Sequence, residues 1–203
     1  MVAAGATWAR TDLFWDNVEP TKGARNWDVG TNAGLEQGLR TAARQGVNVI
    51  LIVHSTPSWA QKVSGSICGP IKHTEFGAFA GFVHDTVARY SVAPYNVKYW
   101  EIWNEQDAAV SLGYSGFGCW GDPADPYFGG GYYADMLKAV YPQAKAADAQ
   151  AQVLVGGLLL DCDPNNPPAG KNCLPAKFLE GILRKGGGPF FDGVSYHAYD
   201  YAI

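Results

Sequence analysis

The sequence lacks the features that mark membrane-spanning and nucleic-acid-binding proteins. Within its 203 residues, no apolar run approaches the roughly 20 residues of a membrane span. It has no basic block and no run of Lys or Arg interleaved with aromatic residues, and its formal net charge is −4. We therefore expect neither a membrane span nor a nucleic-acid partner. Residues 1–6 also lack the basic and apolar regions of a signal peptide.

Cysteines are few, and none has the spacing of a metal site. Cys162 and Cys173 bracket a loop rich in Pro and Asn and could close it as a disulfide, whereas Cys68 and Cys119 fall in two other loops. The absence of CxxC and Cys/His spacings predicts that no zinc or other metal is bound. An even number of loop cysteines favours an oxidising compartment, so we expect a secreted or extracytoplasmic protein. Four free thiols are the alternative.

Strand-like and helix-like segments alternate along the whole chain, which predicts a single domain over residues 1–203. Apolar runs predict strands at residues 7–14, 47–53, 97–103, 153–160 and 191–197. Helical spacing predicts helices at residues 31–45, 74–90, 132–147 and 175–185, with Thr74 as the N-cap of the second. Alternation at this spacing indicates βαβ units and a parallel sheet.

No glycine-rich phosphate loop follows any of the predicted strands. Residues 129–131 and 186–188 are glycine triplets, but the first follows no strand directly and the second precedes one, so both are interpreted as flexible turns. The long loops that carry aromatic residues and cysteines all follow strands. Function at the carboxyl ends of strands is typical of (β/α)8 barrels, and we predict that architecture rather than an open, doubly wound sheet.

One acidic residue stands at the end of a predicted buried strand. Glu105 follows Asn104 there, and Trp100 and Trp103 precede it. Partial desolvation by these indoles would favour the protonated carboxyl, which suits general-acid chemistry. The neighbouring Asn104 could bond to a sugar hydroxyl, and the 13% aromatic content suits either sugar stacking or a large core. A lone Glu after a strand is more often a solvated loop residue.

Residues 100–105 (WEIWNE) resemble the acid/base strand of clan A glycoside hydrolases. Three further segments match that clan in order. The second strand and its exit resemble residues 8–15 (WARTDLFW), 18–20, Gly23 and Trp27. The third strand resembles residues 46–51 with 57–59, and the sixth resembles residues 195–199 (SYHAY). Within the clan, these segments are most similar to family 39 and its relatives, and next most similar to family 5. By this resemblance the chain holds strands two to six of eight and is truncated at both ends.

The resemblance implies a retaining glycoside hydrolase that cleaves O-glycosidic bonds of a β-linked sugar without any cofactor. Glu105 matches the general acid/base. The clan's nucleophile is a Glu at the end of strand seven, which we expect beyond residue 203. Asp161 and Asp200 are interpreted as loop acids rather than substitutes for it. The alternative is a non-catalytic carbohydrate-binding barrel. With open edges, the 203-residue chain alone is expected to be inactive and to self-associate.

Further residues at strand ends are candidates for substrate binding. The predicted set is Asn104, Arg10, His54, Trp59, Trp103, His197 and Tyr199. Trp59 and, in addition, Trp120 are the candidate stacking platforms. Arg10 either keeps the nucleophile ionised or forms a structural ion pair with Asp12 or Glu101. Glu101 is predicted to lie deeper, in a polar core network. The sequence does not indicate the sugar, the mode of attack or the oligomeric state.

Overall fold

The computed structural model describes residues 5–112, 118–163, 165–170 and 173–197. Its strands are β1 (Trp8–Phe14), β2 (Asn48–His54), β3 (Tyr99–Asn104), β4 (Gln152–Leu158) and β5 (Gly193–Tyr196). Its α-helices are α1 (Trp15–Val18), α2 (Leu35–Arg44), α3 (Phe76–Tyr90), α4 (Gly130–Ala147) and α5 (Lys177–Arg184). Short 3₁₀ helices occur at Gly30–Asn32, His73–Glu75, Val110–Leu112 and Gly188–Phe190.

The strands form one parallel sheet in the order β1-β2-β3-β4-β5. Each strand therefore pairs with the strands that precede and follow it in sequence. A doubly wound sheet reverses its order at a switch point, whereas a (β/α)8 barrel keeps the sequential order. The described strands have the barrel order, which confirms the predicted fold class with five strands present.

The core lies between this sheet and the helices that follow its strands. Leu51, Ile52 and Val53 of β2 are all buried, as a strand covered on both faces requires. From the other layer, α3 contributes Phe79 and Phe82 at helical spacing, and α4 packs beside it. The burial of these side chains fixes the sheet and, with it, the positions of the strand ends.

Two local predictions about helix starts were wrong. Thr74 lies inside the 3₁₀ helix His73–Glu75, and α3 begins at Phe76 without a side-chain capping bond. The triplet at residues 129–131 is not a flexible turn: Gly129 is the left-handed N-cap of α4, and Gly130 begins that helix. A Cβ atom at Gly130 would lie 2.0 Å from the carbonyl oxygen of Phe178, so the glycine allows α4 to approach the start of α5.

No helix in the described part of the chain is long and apolar enough to cross a membrane.

Candidate active site at the carboxyl ends of the strands

Strained backbone marks the carboxyl ends of three neighbouring strands. Ser55 follows β2 with φ of 73°, Trp103 and Glu105 end β3 with φ of 74° and 50°, and Leu160 follows β4 with φ of 41°. Positive φ at residues other than glycine is uncommon and is concentrated at functional sites. The strain therefore points to this end of the sheet, where loops of a barrel carry its chemistry.

The left-handed conformation of Trp103 redirects the side chains at the end of β3. Its indole packs against Phe79 of α3 and against Trp120, and the indole NH donates to the carbonyl of Cys68. Glu101, two residues earlier, instead contacts Arg10 of β1. Simple alternation would have placed both side chains on one face, and the positive φ breaks that alternation.

Two tryptophans predicted to contact the substrate are therefore corrected. Trp103, predicted to bind substrate, is fully buried, and its ring lies between the sheet and the helices, so it cannot contact a sugar. Trp120, which is almost fully buried, packs against Trp103, Tyr132 and Tyr133 and has the same structural role. Both indoles contribute to the core beneath the loops instead of facing the solvent.

The Glu105 carboxyl is buried, and its two oxygens have different surroundings. Only 5% of the residue is exposed. Oε1 lies 2.8 Å from Nδ1 of His197, whereas Oε2 has no hydrogen-bond partner among the described residues. The backbone N–H of Glu105 donates to the carbonyl of Gly157 on β4. The carboxyl is thus oriented through one oxygen, while the other is buried and has no partner in the described part of the chain.

An ion pair between β1 and β3 lies beside Glu105. The Arg10 guanidinium donates through Nε and Nη2 to both oxygens of Glu101, at 2.9 and 2.6 Å, and Nη2 also donates to Asn104 Oδ1 at 2.7 Å. Glu101 Oε1 also accepts the N–H of Gly157. The polar network predicted for Glu101 is confirmed, and the alternative in which Arg10 pairs with Glu101 is observed.

His54 forms a second pair, with Asp12 of β1. His54 Nε2 lies 3.2 Å from Asp12 Oδ1, and Nδ1 lies 3.2 Å from the Ser55 hydroxyl. The close contact with His54 lowers the pKa of Asp12 against the opposing effect of burial, and the Arg10 charge acts in the same direction. His54 is buried, whereas 43% of the Asp12 side chain is exposed. Asp12 is thus the accessible member of the pair; the sequence suggested it only as an alternative ion-pair partner of Arg10 and did not predict its pairing with His54.

Asp107 is a buried acid next to Glu105 that the sequence interpretation missed. Its carboxylate accepts the backbone N–H groups of Leu159 and Leu160 in the loop after β4. Burial raises its pKa to about 6; these hydrogen bonds oppose the shift, and the Glu105 charge adds to it. Its position two residues after Glu105 was the only available signal, because its partners come from a distant loop.

The remaining predicted site residues have different outcomes. Trp59 is half-buried: it packs on Trp15 and donates its indole NH to the Glu19 carbonyl. Within the described part of the chain, no contact is observed between Trp59 and Glu105. His197 is placed against Glu105, as described above. Tyr199 and Asp200 lie outside the described residues.

The cysteines form two disulfides, Cys68–Cys119 and Cys162–Cys173. The first joins the loops after β2 and β3, and the second closes the loop after β4. The backbone N–H of Cys119 also donates to the Cys68 carbonyl. Both disulfides therefore stabilise loops at the carboxyl ends of the strands, where Glu105 also lies.

Among the described residues, no group of three or more His, Cys, Asp or Glu side chains could hold a metal ion. A cleft of about 630 Å³ lies elsewhere, along β1 and α2, and is lined by residues that include Trp8, Arg10 and Leu39. Because β1 is an outer strand of the described sheet, this cleft follows an open edge, and Glu105 does not line it.

No protein-family model matches the sequence, and no curated protein matches it. Solved structures do match its fold. A family 39 glycoside hydrolase from the gut symbiont Bacteroides cellulosilyticus WH2 is 22% identical with a TM-score of 0.63, covering 96% of this chain and 33% of that one. GH30 xylanase C from Talaromyces cellulolyticus is 16% identical with a TM-score of 0.63, covering 94% and 43%.

A third similar structure is a conserved exported protein from Bacteroides fragilis, 16% identical with a TM-score of 0.65, covering 97% of this chain and 44% of that one. The chain spans less than half the length of these three structures. At such identities the likeness establishes the fold, which agrees with the sequential strand order of a (β/α)8 barrel.

Proposed function

We propose that this chain carries the acid/base half of a retaining glycoside hydrolase that cleaves the O-glycosidic bonds of a β-linked sugar or polysaccharide. The observation that carries the proposal is the Glu105 carboxyl, which is buried at the end of β3 with one oxygen held by His197 and the other without a partner among the described residues. The similar structures that are named as glycoside hydrolases support the same class.

Glu105 would act twice in a double displacement. In the first step it gives its proton to the leaving oxygen while a second carboxylate attacks the anomeric carbon and forms a glycosyl-enzyme. In the second step Glu105 takes a proton from water, which displaces the enzyme carboxylate and releases the sugar with its configuration retained. If His197 Nδ1–H donates to Oε1, the transferable proton resides on Oε2, the oxygen without a partner among the described residues.

The nucleophile is proposed to lie on a further strand, next to β5. Retention requires two carboxyl groups roughly 5–5.5 Å apart. Glu101 does not suit this role because it is fully buried and both of its oxygens bind Arg10. Asp107 is also fully buried and is occupied by backbone N–H groups. A Glu at the end of the next strand in the coding sequence would supply the missing group.

Substrate recognition is assigned to polar groups around Glu105. Asn104 precedes Glu105 in sequence, Arg10 donates to the Asn104 side chain, and the His54–Asp12 pair belongs to β2 and β1. These groups offer donors and acceptors for sugar hydroxyls, and Tyr199 remains proposed as a further one. The two disulfides support a secreted or extracytoplasmic location.

A non-catalytic carbohydrate-binding barrel is the second candidate. The buried pair of Glu105 and His197 favours the enzyme, because sugar binding alone does not require a buried carboxyl that is held through one oxygen and leaves the other without a partner among the described residues. Reading the coding sequence beyond residue 203 separates the two candidates. A Glu at the end of the next strand supports the enzyme, and its absence supports the binding protein.

Glu105→Gln tests the proposed function in the full-length protein. Hydrolysis of glycosides with poor leaving groups should fall by about 10²–10⁴-fold, because these substrates need the proton. Activated aryl glycosides should still release their aryl group in a burst, because their leaving groups need no proton. Glu180→Gln, on the exposed face of α5, is the matched control. Equal turnover of both substrate types by Glu105→Gln and by the native protein would refute the proposal.

A further inference from the structure

A glycine of β4 connects the acidic residues of the candidate site. Gly157 follows Gly156 near the end of the strand. Its N–H donates to Glu101 Oε1 at 2.7 Å, and its carbonyl accepts the N–H of Glu105 at 2.9 Å. The backbone of Gly157 is therefore fixed from both sides by residues at the end of β3.

The third neighbour of Gly157 is the ring of His197. A Cβ atom built on Gly157 would lie 2.2 Å from Nε2 of that ring, 2.6 Å from Cδ2 and 2.7 Å from Cε1. Real side chains do not approach so closely, so any residue larger than glycine would force a movement. The Gly157 backbone is held by its two hydrogen bonds, and the N–H of His197 is held by the Leu158 carbonyl. The imidazole ring is the part that can move.

We infer that Gly157 is a positioning residue whose missing side chain lets the His197 ring lie against β4 and reach Glu105. The inference rests on the proposed function and extends it, because it assigns a role to a residue that touches no substrate. Displacing the ring would break the contact of 2.8 Å between Nδ1 and Glu105 Oε1, and the acid/base would lose the partner that orients it.

Gly156 and Gly193 show that this requirement is specific to Gly157. A Cβ atom at Gly156 would meet the carbonyl of Trp103 and the side chain of Gln106, not the His197 ring. At Gly193 of β5, only the flexible tip of Leu154 lies within reach, at 3.0 Å. Gly193→Ala is therefore the matched control, since it adds the same methyl group to a neighbouring strand of the same sheet.

The first test is a double-mutant cycle in the full-length protein with Gly157→Ala, His197→Ala and the combination. Gly157→Ala should lower kcat on poor-leaving-group glycosides on the order of 10²-fold, as expected for a misplaced catalytic group. In the His197→Ala background the same substitution should cost nothing further, because the ring it displaces is gone. Equal losses in both backgrounds, or full activity of Gly157→Ala, would overturn the inference.

Thermal unfolding keeps the test decisive if Gly157→Ala folds poorly. Removal of the ring in the double variant should then restore the melting temperature towards that of His197→Ala. A double variant that also fails to fold would show that Gly157 is needed for some other reason, and the inference would fall.

Imidazole ¹⁵N chemical shifts provide a readout that does not depend on activity. The chain has four histidines, so His197→Ala identifies the signal of interest. At fixed pH, Glu105→Gln should shift the Nδ1 resonance of His197 in the native background and leave it unchanged in the Gly157→Ala background. A protein without glycosidase activity that shows this pattern would refute the proposed function and keep the positioning role. An equal shift in both backgrounds would overturn the positioning role alone.

Discussion

The two carboxyl oxygens of Glu105 have different surroundings, and this difference fixes the orientation of the side chain. His197 contacts Oε1, and burial keeps water from equalising the two positions. Left-handed backbone at Trp103 and at Glu105 itself turns the side chain to its place. The cost of such a conformation is of order 1–3 kcal/mol per residue, so the surrounding packing must over-determine it. The buried indole of Trp103 supplies part of that packing.

At the same scale, Asp107 should make stability depend on pH. Its pKa is raised to about 6 in the folded state, against 3.8 for an ordinary Asp. The protonated form is therefore favoured by folding: this contribution is complete below about pH 4 and is lost as pH rises through about 6. Relative to Asp107→Asn, the native protein should lose about 3 kcal/mol of unfolding free energy over that range.

Urea denaturation of both proteins between pH 4 and pH 7 measures this difference. Other titrating groups are shared, so their effects cancel in the comparison. Asp28→Asn, which changes an exposed loop acid, should give a curve parallel to the native one. A constant difference between the native protein and Asp107→Asn across the range would contradict a buried Asp107 that titrates near pH 6.

At the scale of elements, the ion pair between Arg10 and Glu101 joins β1 to β3 across the intervening β2. Glu101 is fully buried and Arg10 is its counter-charge, so Arg10→Met should destabilise the protein by about 3 kcal/mol. Adding Glu101→Gln should recover part of this loss, because the uncompensated charge is removed while an acceptor for the Gly157 N–H remains.

Chemical denaturation of the single and double variants measures this coupling. Arg184→Met, which breaks an exposed pair within α5, should have little effect. If Arg10→Met is as stable as the native protein, then the pair does not hold β1 and β3 together.

The strands and the four longer helices could be predicted from periodicity, since each predicted segment overlaps an observed one, whereas the four-residue helix α1 was not predicted. The direction of Trp103 could not be predicted, because alternation assumes an extended backbone and the positive φ is set by packing from α3 and Trp120. Glycine inside an apolar strand often marks a close approach, and that signal could have drawn attention to Gly157. Asp107 and Asp12 depend on partners that only the folded sheet brings near.

For the whole molecule, the sequential strand order excludes an open doubly wound sheet, which periodicity alone does not. The sequence motifs identified Glu105, Asn104, Arg10 and His197 as parts of one site, because the carboxyl ends of consecutive parallel strands lie on the same side of the sheet. The sugar specificity could not be predicted, since it depends on loop shape and on residues beyond the described sheet.

The outer strands of the described sheet expose large apolar side chains. Trp8 of β1 is 47% exposed, and Val194 and Tyr196 of β5 are 41% and 45% exposed. Unpaired strand edges with apolar side chains promote edge-to-edge association. We therefore predict that the 203-residue chain expressed alone self-associates, and that light scattering coupled to size exclusion shows a mass that rises with concentration.

Val194→Lys should reduce this association, because a charge on an edge strand opposes further pairing. Val92→Lys, at an exposed apolar residue outside the strands, should not reduce it. A native chain that stays monomeric at every concentration would contradict the prediction.

Azide rescue of Glu105→Ala tests the acid/base role most directly. In the full-length protein with a 2,4-dinitrophenyl β-glycoside, the variant should form the glycosyl-enzyme and then stall, because no base activates water. Azide needs no such base: it should attack the anomeric carbon, expel the enzyme carboxylate, restore turnover and yield a β-glycosyl azide. An α-glycosyl azide would instead identify Glu105 as the nucleophile, and no acceleration by azide would contradict its role as the acid/base.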